Sequence, residues 1–443
     1  MLKALKYARL KKYMKKNVQS ILKQEIQLLL PDKVALKKVN ELTKYFLDTL
    51  EKELIKYKID ADVFVGGSFA KGTFIKSDKY DVDVFVRFDW KYEQLSEILE
   101  PVLRNVVKLG GLKFEKIHGS RDYFKVMSDD SNGYFEVIPV TRIKKPREER
   151  NVTDLSYFHV PYVKKHIRGL GDEVRLAKQF FKAQRVYGAE TYVSGFSGYT
   201  VELLIIYYKS FLKMLRALVK MKSGERIVID LAKHYKNKKD VFVELNGAKL
   251  HSPIILIDPT YKERNALAAL SHDTFVKTQK SALLFLRNPS LNFFIKKHLN
   301  VESLRKRASH EKLNFVHLKF ETDKQPGDIA GTKMKKFSEM LAEEINIYFD
   351  IKESYFSYSG EHDSESYILA KSRQEIVRIG PPLIMKKHVS HFKNEHLNTF
   401  VKGKFIHARI SVKFDLHSYL DAWQKANEKK MNEMHITEMK INN

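Results

Sequence analysis

The chain has 443 residues, 43% of them hydrophobic, which excludes a disordered chain and indicates two to four domains. Its 80 lysines and arginines outnumber 54 aspartates and glutamates, so the net charge is +26 and a polyanionic partner is favoured. It has no cysteine, which excludes disulfides, thiol catalysis and zinc–thiolate sites. Since no signal peptide and no membrane-spanning stretch is recognised, the sequence predicts a soluble, cytoplasmic protein with no membrane partner.

Residues 1–155 are predicted to form an α/β domain. The Lys-rich stretch 1–60 is predicted to be mostly helical, because apolar residues recur at helical spacing from Val34 to Tyr57. Short alternating or apolar runs then predict strands at 62–65, 81–88, 112–118, 124–127 and 134–140.

Residues 156–300 are predicted to form a mainly helical domain. Helices are expected at 173–185, 198–211 and 267–286, and Ser197 is expected to cap the start of the second of them. A buried strand is expected at 254–257, whereas the polar stretch 233–249 is expected to be a loop or an insertion.

Residues 301–443 are predicted to form an α+β domain with an open sheet. Strands are expected at 313–320, 355–358, 366–370 and 404–414, a helix at 333–347, and a helical tail over the last thirty residues. The predicted fold class is therefore α+β and multidomain.

Asp81 and Asp83 are the most informative acidic residues. Because side chains alternate along a strand, both carboxylates project from one face and repel each other unless a cation lies between them. Hard oxygen ligands favour Mg²⁺. Glu136 is the candidate for a third carboxylate, since a glutamate without a role is unfavourable in an apolar strand. An Asp-x-Asp pair alone is a common surface pattern, but its order relative to the other motifs favours catalysis.

The segment Gly66-Gly67-Ser68 precedes this pair. Glycines allow the backbone to approach a phosphate, Ser68 offers a hydroxyl and an amide, and Lys71 offers a positive charge. Triphosphate, metal and acidic pair are thus expected in one site of two-metal phosphoryl transfer.

These residues resemble the nucleotidyltransferase superfamily of DNA polymerase β, and within it the archaeal-type (class I) CCA-adding enzymes. Further motifs that carry the resemblance are Gly171-Asp172-Glu173-Val174-Arg175-Leu176-Ala177-Lys178, Val186-Tyr187-Gly188-Ala189-Glu190, Ser194-Gly195-Phe196-Ser197-Gly198-Tyr199, Asp258-Pro259 and Gly380-Pro381-Pro382. The similarity extends roughly from residue 60 to residue 415.

The resemblance implies a polymerase-β-like head (1–155), a helical neck that completes the nucleotide pocket (156–300), and a body with a helical tail (301–443). It implies addition of C, C and A to the 3′ end of tRNA from CTP and ATP, with two Mg²⁺ ions, for which Mn²⁺ is a substitute. The partner is the tRNA acceptor arm and 3′ end, and a homodimer is one option for the oligomeric state.

The resemblance also assigns site residues. Asp81, Asp83 and Glu136 match the metal-binding catalytic carboxylates, and Arg264 matches an arginine implicated in recognising the incoming base. The positions that hold the triphosphate are matched by Ser68, Lys71, Ser156, His159, Lys178 and Tyr187. The family pattern leads us to expect Arg at Lys71 and Asp at Glu136, so the phosphate geometry and the second metal's placement depart from that pattern.

Several of these residues have a simpler structural interpretation. Lys178 in an amphipathic helix would by default be solvated, and Tyr187 and His159 would be packing residues. Arg264 would be a surface salt-bridge partner. Basic clusters such as Lys164-Lys165-His166-Ile167-Arg168 are individually ordinary, but their distribution fits a surface that follows an RNA backbone.

Two rival functions remain at this level. A poly(A) polymerase or another RNA tail polymerase would share the carboxylate face. A non-catalytic RNA-binding scaffold would have no need to retain Asp81 and Asp83 on a basic surface.

Overall fold

The structure is a computed structural model that describes residues 18–119, 121–127, 133–222, 224–296 and 299–442. The predicted helical character of residues 1–17 lies outside the described residues. The chain divides into two compact units, Met1–Lys297 and His298–Asn443. The division into three domains made from the sequence stays a prediction.

The first part of the N-terminal unit is a five-stranded sheet covered by helices on one face. Helices α2 (Lys33–Lys56) and α4 (Leu95–Gly110) cover that face, whereas α1 (18–29) packs in the core around Phe180 and α3 (Gly67–Lys71) packs against Asp83. Its strands are β1 (Ala61–Val65), β2 (Tyr80–Phe88), β3 (Lys113–Ile117), β4 (Tyr123–Met127) and β5 (Gly133–Thr141). The strand order is β1-β2-β5-β4-β3, in which only the β2–β5 pair is parallel. All five predicted strands are confirmed.

Alternation in β2 decides which face is covered. Val82, Val84 and Val86 are buried in one core with Leu50 of α2 and Leu99 of α4. Odd-numbered residues of β2 therefore project from the opposite face. Helices α2 and α4 thus cover the face of the even-numbered β2 residues, and the face of the odd-numbered residues is left to the rest of the unit.

Residues 146–296 of the same unit are mainly helical, with a small sheet. The helices are α5 (Ser156–His166), α6 (Gly171–Ala183), α7 (Gly198–Tyr208), α8 (Phe211–Lys220), α9 (Lys238–Glu244) and α10 (His272–Arg287). Short 3₁₀ turns occupy Pro146–Glu148, Val152–Leu155, Gly247–Leu250 and Leu291–Phe293. The sheet has the order β6-β7-β8, with β6 (Ile227–Asp230), β7 (Ile254–Asp258) and β8 (Tyr261–Asn265). As predicted, Ser197 caps α7 by accepting from the Thr200 amide.

Two predictions in this region are wrong. The stretch 233–249 contains a helix, because Asn237 caps α9 and Val241 and Leu245 bury apolar side chains in a small core. Helix α10 begins at His272 and not at Leu267, since Ser271 accepts from the Thr274 amide and fixes the helix start.

The C-terminal unit has two sheets and its own core. Its helices are α11 (Val301–Glu311), α12 (Asp328–Tyr348), α13 (Lys386–Glu395), α14 (Leu416–Ala426) and α15 (Glu428–Glu433). Its strands are β9 (Asn314–Glu321), β10 (Phe349–Tyr358), β11 (Asp363–Ser372), β12 (Glu375–Pro382), β13 (Thr399–Lys402), β14 (Phe405–Ser411) and β15 (Glu438–Asn442). One sheet has the order β10-β11-β9-β15 and the other β12-β14-β13. Helix α12 packs on the first sheet through Met334, Phe337 and Leu341.

The predicted helical tail is wrong at its end. After α14 and α15 the chain forms β15, which pairs antiparallel with β9, with Met439 opposite Phe320. Met439 is buried in the unit's core, so pairing with a free sheet edge decides this segment's structure. Among the described helices, none is long and apolar enough to cross a membrane.

Candidate active site

The three predicted catalytic carboxylates lie on one face of the N-terminal sheet. Asp81 and Asp83 are two residues apart on β2, and the parallel pairing of β2 with β5 aligns Asp83 with Glu136. Because Val82 and Val84 occupy the covered face, these acids project from the other face. The acids are thus brought together by strand register as well as by local spacing.

The carboxylates perturb one another. Burial raises the pKa of Asp83 to about 6, and the charge of Asp81 adds to this rise, while Lys71 and Lys178 oppose it. Burial also raises the pKa of Glu136 to about 7, with further contributions from Asp83 and Asp81. A face with this much unfavourable negative charge suits a bound cation.

Gly67 is required for the position of Asp83. Its φ is +58°, and a Cβ built on it would lie 1.5 Å from Asp83 Oδ2. The Gly66 amide donates to the Asp83 carbonyl oxygen at 2.8 Å. The turn that starts α3 therefore packs directly against the carboxylate, and only a glycine at position 67 leaves room for it.

A cavity of about 390 Å³ opens beside these acids. It is lined by predicted nucleotide-binding or catalytic residues from three parts of the chain, namely Ser68, Lys71, Asp81, Asp83, Lys178 and Tyr187. Gly198 approaches Tyr187 closely, since a Cβ there would lie 2.8 Å from the Tyr187 hydroxyl. Lys182, one turn after Lys178, also lines the cavity although the sequence interpretation did not select it.

Glu202 was missed in the sequence interpretation and holds both cavity lysines. Its fully buried carboxylate accepts from Lys71 Nζ at 2.7 Å and from Lys178 Nζ at 2.8 Å. Thr73 Oγ1 donates to the same carboxylate at 3.0 Å. Burial alone would raise the pKa of Glu202, but Lys178 and Lys71 lower it to about 2. The available signal was a single acid in the otherwise apolar helix α7.

A second buried acid, Asp258, joins His159 and Arg264. His159 Nε2 donates to Asp258 Oδ2 at 2.9 Å, and Arg264 Nη1 donates to the same oxygen at 2.8 Å. Tyr199 donates to the other oxygen at 3.0 Å and stacks on the His159 ring with centroids 4.0 Å apart. Burial lowers the pKa of His159 despite the opposing effect of Asp258.

The Asp258 cluster and the cavity meet at Tyr199, which lines the cavity wall. His159 and Arg264 themselves do not line the cavity, and neither do Glu136 and Ser156. Ser156 is the first residue of α5. Of the ten predicted site residues, the structure therefore brings six to the cavity, two to the Asp258 cluster beside it and one, Glu136, to the strand next to Asp83. Ser156 lines neither the cavity nor that cluster.

The donor set fits a divalent cation. Asp81, Asp83 and Glu136 offer hard carboxylate oxygens on a face where their mutual repulsion awaits compensation. Within the described ranges, no three acidic or imidazole side chains converge as a ready-made metal cage.

Comparison with known proteins decides the family. A nucleotidyltransferase domain matches residues 47–222, and the second domain of tRNA nucleotidyltransferase matches residues 172–295. The CCA-adding enzyme of Methanosarcina acetivorans is 30% identical over 350 residues, an alignment that covers 76% of this chain and 72% of that enzyme. This chain belongs to the CCA-adding enzyme family.

Two further CCA-adding enzymes agree with this assignment. The CCA-adding enzyme of Nanoarchaeum equitans is 39% identical over 266 residues, covering 60% of this chain and 64% of that enzyme, slightly less than two thirds of its length. That of Pyrobaculum aerophilum is 26% identical over 401 residues and covers 88% of each chain. A cytoplasmic RNA terminal U-transferase of solved structure is 14% identical with a TM-score of 0.48, covering 64% of this chain and 99% of that one.

The sequence-based predictions of the family and of a multidomain α+β fold with a nucleotidyltransferase domain are thereby confirmed. Enzymes with this domain generally use divalent metal ions, and CCA-adding enzymes act on tRNA with nucleoside triphosphates. The roles of the individual site residues stay predictions.

Proposed function

We propose that this protein adds C, C and A in turn to the 3′ end of tRNA, using CTP and ATP and no nucleic-acid template. One observation supports this most directly: Asp81 and Asp83 line the same cavity as Lys71 and Lys178, in a chain of the CCA-adding enzyme family. Acids for a metal and cations for a triphosphate are the two requirements of nucleotidyl transfer.

Two Mg²⁺ ions, with Mn²⁺ as a substitute, are the proposed cofactors, held by Asp81, Asp83 and Glu136. When bound there, the cations supply activation of the attacking hydroxyl and charge compensation of the leaving pyrophosphate. Lys71 and Lys178, which line the same cavity, are the proposed direct partners of the triphosphate together with Ser68 and Tyr187.

In the proposed reaction the RNA 3′-oxygen forms a bond to the α-phosphorus while the bond from that phosphorus to the β-phosphate bridging oxygen breaks, releasing pyrophosphate. Glu136, which strand pairing aligns with Asp83, is proposed to help position the attacking hydroxyl. Lys71 and Lys178, held at 2.7 and 2.8 Å by Glu202, keep their ammonium groups oriented for the developing charge on pyrophosphate.

Arg264 is the proposed contact for the incoming base, and His159 and Ser156 are proposed to assist in holding the nucleotide. Asp258 orients the Arg264 guanidinium and the His159 ring through hydrogen bonds to one carboxylate oxygen. Such a shared anchor fixes the distance between a phosphate-binding imidazole and a base-reading guanidinium. The tRNA acceptor arm is the proposed partner of the C-terminal unit, and a homodimer stays a prediction.

An extension assay tests the function. A tRNA transcript that lacks its last three nucleotides is incubated with Mg²⁺ and with CTP, ATP or both, and we expect two C residues with CTP and a terminal A when ATP is added. Long A tails would instead identify a poly(A) polymerase, and no incorporation under any condition would identify the RNA-binding scaffold.

The variant Asp83→Asn tests the site. We expect incorporation to fall by at least about a thousandfold, because an amide is a poor ligand for a hard cation, while tRNA affinity changes little. Asp48→Asn, on helix α2 at the covered face of the sheet, removes the same charge and serves as the control. A tRNA affinity that falls together with the activity of Asp83→Asn would contradict the assignment.

A further inference from the structure

A larger cavity, of about 580 Å³, lies apart from the catalytic cavity in the same N-terminal unit. We call it the β1–α5 groove, because strand β1 and helix α5 with the turn after it line it. Its floor includes Phe64, Tyr157 and Pro161, and its rim carries Lys164, Lys165 and Arg168. It shares no lining residue with the catalytic cavity.

The groove nevertheless opens on the sheet face that carries the carboxylates. Phe64 stacks on Phe85 with ring centroids 4.9 Å apart. Phe85 follows Asp83 by two residues on β2 and projects from the same face, about 7 Å farther along the strand. An RNA strand that enters the catalytic cavity can therefore also reach the groove, because the groove begins only about two β2 residues away from Asp83 on the same sheet face.

Tyr157 gives the groove an ordered aromatic surface. The Arg87 guanidinium carbon lies 3.4 Å from the Tyr157 ring centroid, and Phe64 meets the ring edge-on at 5.5 Å. The ring is nevertheless 41% exposed and lines the groove. A ring that is fixed in place and still accessible is the type of platform on which an unpaired nucleobase stacks.

The rim is strongly and uniformly cationic. Lys164, Lys165 and Arg168 are exposed, and no side-chain hydrogen bond or ion pair joins any of them to another described residue. No carboxylate lines the groove. Cations in the last turn of a helix also stabilise its dipole, which explains Lys164 and Lys165 in part. Arg168 lies beyond the end of α5 and is left without that explanation.

We infer that the β1–α5 groove binds the sugar–phosphate strand of the RNA substrate near its growing end, with one nucleobase against Tyr157 and phosphates against the three rim cations. The inference rests on the proposed function, because it takes RNA as the substrate. Charge complementarity selects the occupant: a polyanion with flat apolar bases matches a cationic rim above an aromatic floor.

The test compares two triple variants with equal loss of charge. Lys164→Ala/Lys165→Ala/Arg168→Ala removes the rim, and Lys44→Ala/Lys52→Ala/Lys108→Ala removes three exposed lysines from α2 and α4 on the covered side of the sheet. The dissociation constant of the full-length protein for tRNA lacking its last three nucleotides is measured at several salt concentrations, together with the KM for CTP.

We expect the rim variant to bind this tRNA about tenfold or more weakly at moderate salt, with a log–log salt slope reduced by about 2, because three phosphate contacts are lost. The control variant should keep a slope near that of the wild type. Tyr157→Leu should weaken tRNA binding about fivefold or more through lost stacking, and Tyr157→Phe should restore it. Melting curves of all variants show whether the fold is retained.

Equal tRNA affinities for the rim and control variants would overturn the inference, as would a rise in the KM for CTP without a change in tRNA binding, which would make the groove a mononucleotide site. These results leave the proposed function intact whenever the wild type adds C, C and A. If the wild type adds no nucleotide, the proposed function fails, and the salt slope of the rim variant still reports on the groove.

Discussion

At the residue scale, two buried acids hold four of the predicted nucleotide-binding residues in place. The side chains of Glu202 and Asp258 are both fully buried. Glu202 binds Lys71 and Lys178, and Asp258 binds His159 and Arg264. Each of these four predicted nucleotide-binding residues thus has a buried carboxylate partner that fixes its position in the folded protein. Such preorganisation reduces the reorganisation that phosphate binding would otherwise require.

We predict strong coupling between Glu202 and Lys178. Glu202→Gln leaves two largely buried ammonium groups without a carboxylate, so the free energy of unfolding should fall by about 3 kcal/mol. Lys178→Met removes one of those charges, and the double variant should be less destabilised than the sum of the two single variants by about 1 kcal/mol or more.

Urea denaturation of the four proteins measures this coupling. The exposed pair Glu302 and Lys306, at 2.8 Å on helix α11, is the control and should give a coupling below about 0.5 kcal/mol. Additive effects of Glu202→Gln and Lys178→Met would show that the buried ion pair does not hold the lysine.

A second residue-scale prediction concerns Glu136 and pH. Since the folded-state pKa of Glu136 is raised to about 7 from 4.5, the folded protein binds more protons than the unfolded chain between these values, and stability falls as pH rises through that window. In the presence of a chelator, Glu136→Gln should therefore be more stable than the wild type by about 1–2 kcal/mol at pH 8, after allowance for solvent screening.

The advantage of Glu136→Gln should shrink towards zero as the pH falls below 4.5, where the wild-type carboxyl becomes protonated in both the folded and the unfolded state. Denaturant unfolding at pH 5, 6.5 and 8 measures the difference. A stability difference that is the same at all three pH values would show that repulsion at the carboxylate face is not its cause.

At the element scale, the turn that starts α3 fixes the position of Asp83. Gly67 begins this helix and Gly72 follows it, with φ of +58° and +66°, but only at Gly67 would a Cβ meet Asp83, whereas nothing lies within 4 Å of a Cβ at Gly72. Both substitutions by alanine carry about 1–2 kcal/mol of backbone strain. Only one of them displaces a predicted metal ligand.

We therefore predict that Gly67→Ala lowers the rate of nucleotide addition by about a hundredfold or more, because a shift of about 1 Å at a catalytic group has this effect. Gly72→Ala should keep most of the activity while losing similar stability. Single-turnover rates and thermal melts of the two variants separate strain from displacement. Similar activities for both would mean that the carboxylate position tolerates the intrusion.

Element types were predictable where the pattern is local. Strand β5 was predicted correctly although it contains Pro139. The strand tolerates this proline because its pairing with β4 ends at Val137, before the proline. Strand β15 was missed, because a short segment at the end of a helical region becomes a strand only through the free edge of β9. Helix α9 was not predicted because the stretch 233–249 is mostly polar. The burial of Val241 in the helix and of Leu245 just after it depends on packing against distant residues.

At the scale of the whole molecule, each compact unit has a core of its own. The N-terminal unit contains one core behind the carboxylate sheet and another around Phe180 and Phe211. The C-terminal unit is built around Phe320, Phe337 and Phe349. The net charge of +26 lies mostly in the N-terminal unit, where 56 lysines and arginines face 34 aspartates and glutamates (+22), against 24 and 20 in the C-terminal unit (+4), so electrostatic attraction of a nucleic-acid backbone acts chiefly on the N-terminal unit.

The sequence by itself determined the family, the strand that carries Asp81 and Asp83, and the glycine turn before them. These features depend on short spacings and alternation, which are properties of neighbouring residues. Tertiary structure alone decided that Glu202 meets Lys71 across 131 residues and that His159 meets Asp258 across 99. It also decided that β1 and α5 enclose a cationic groove, because contacts between distant segments follow from how helices and sheets bury their apolar faces, and no local pattern records that packing.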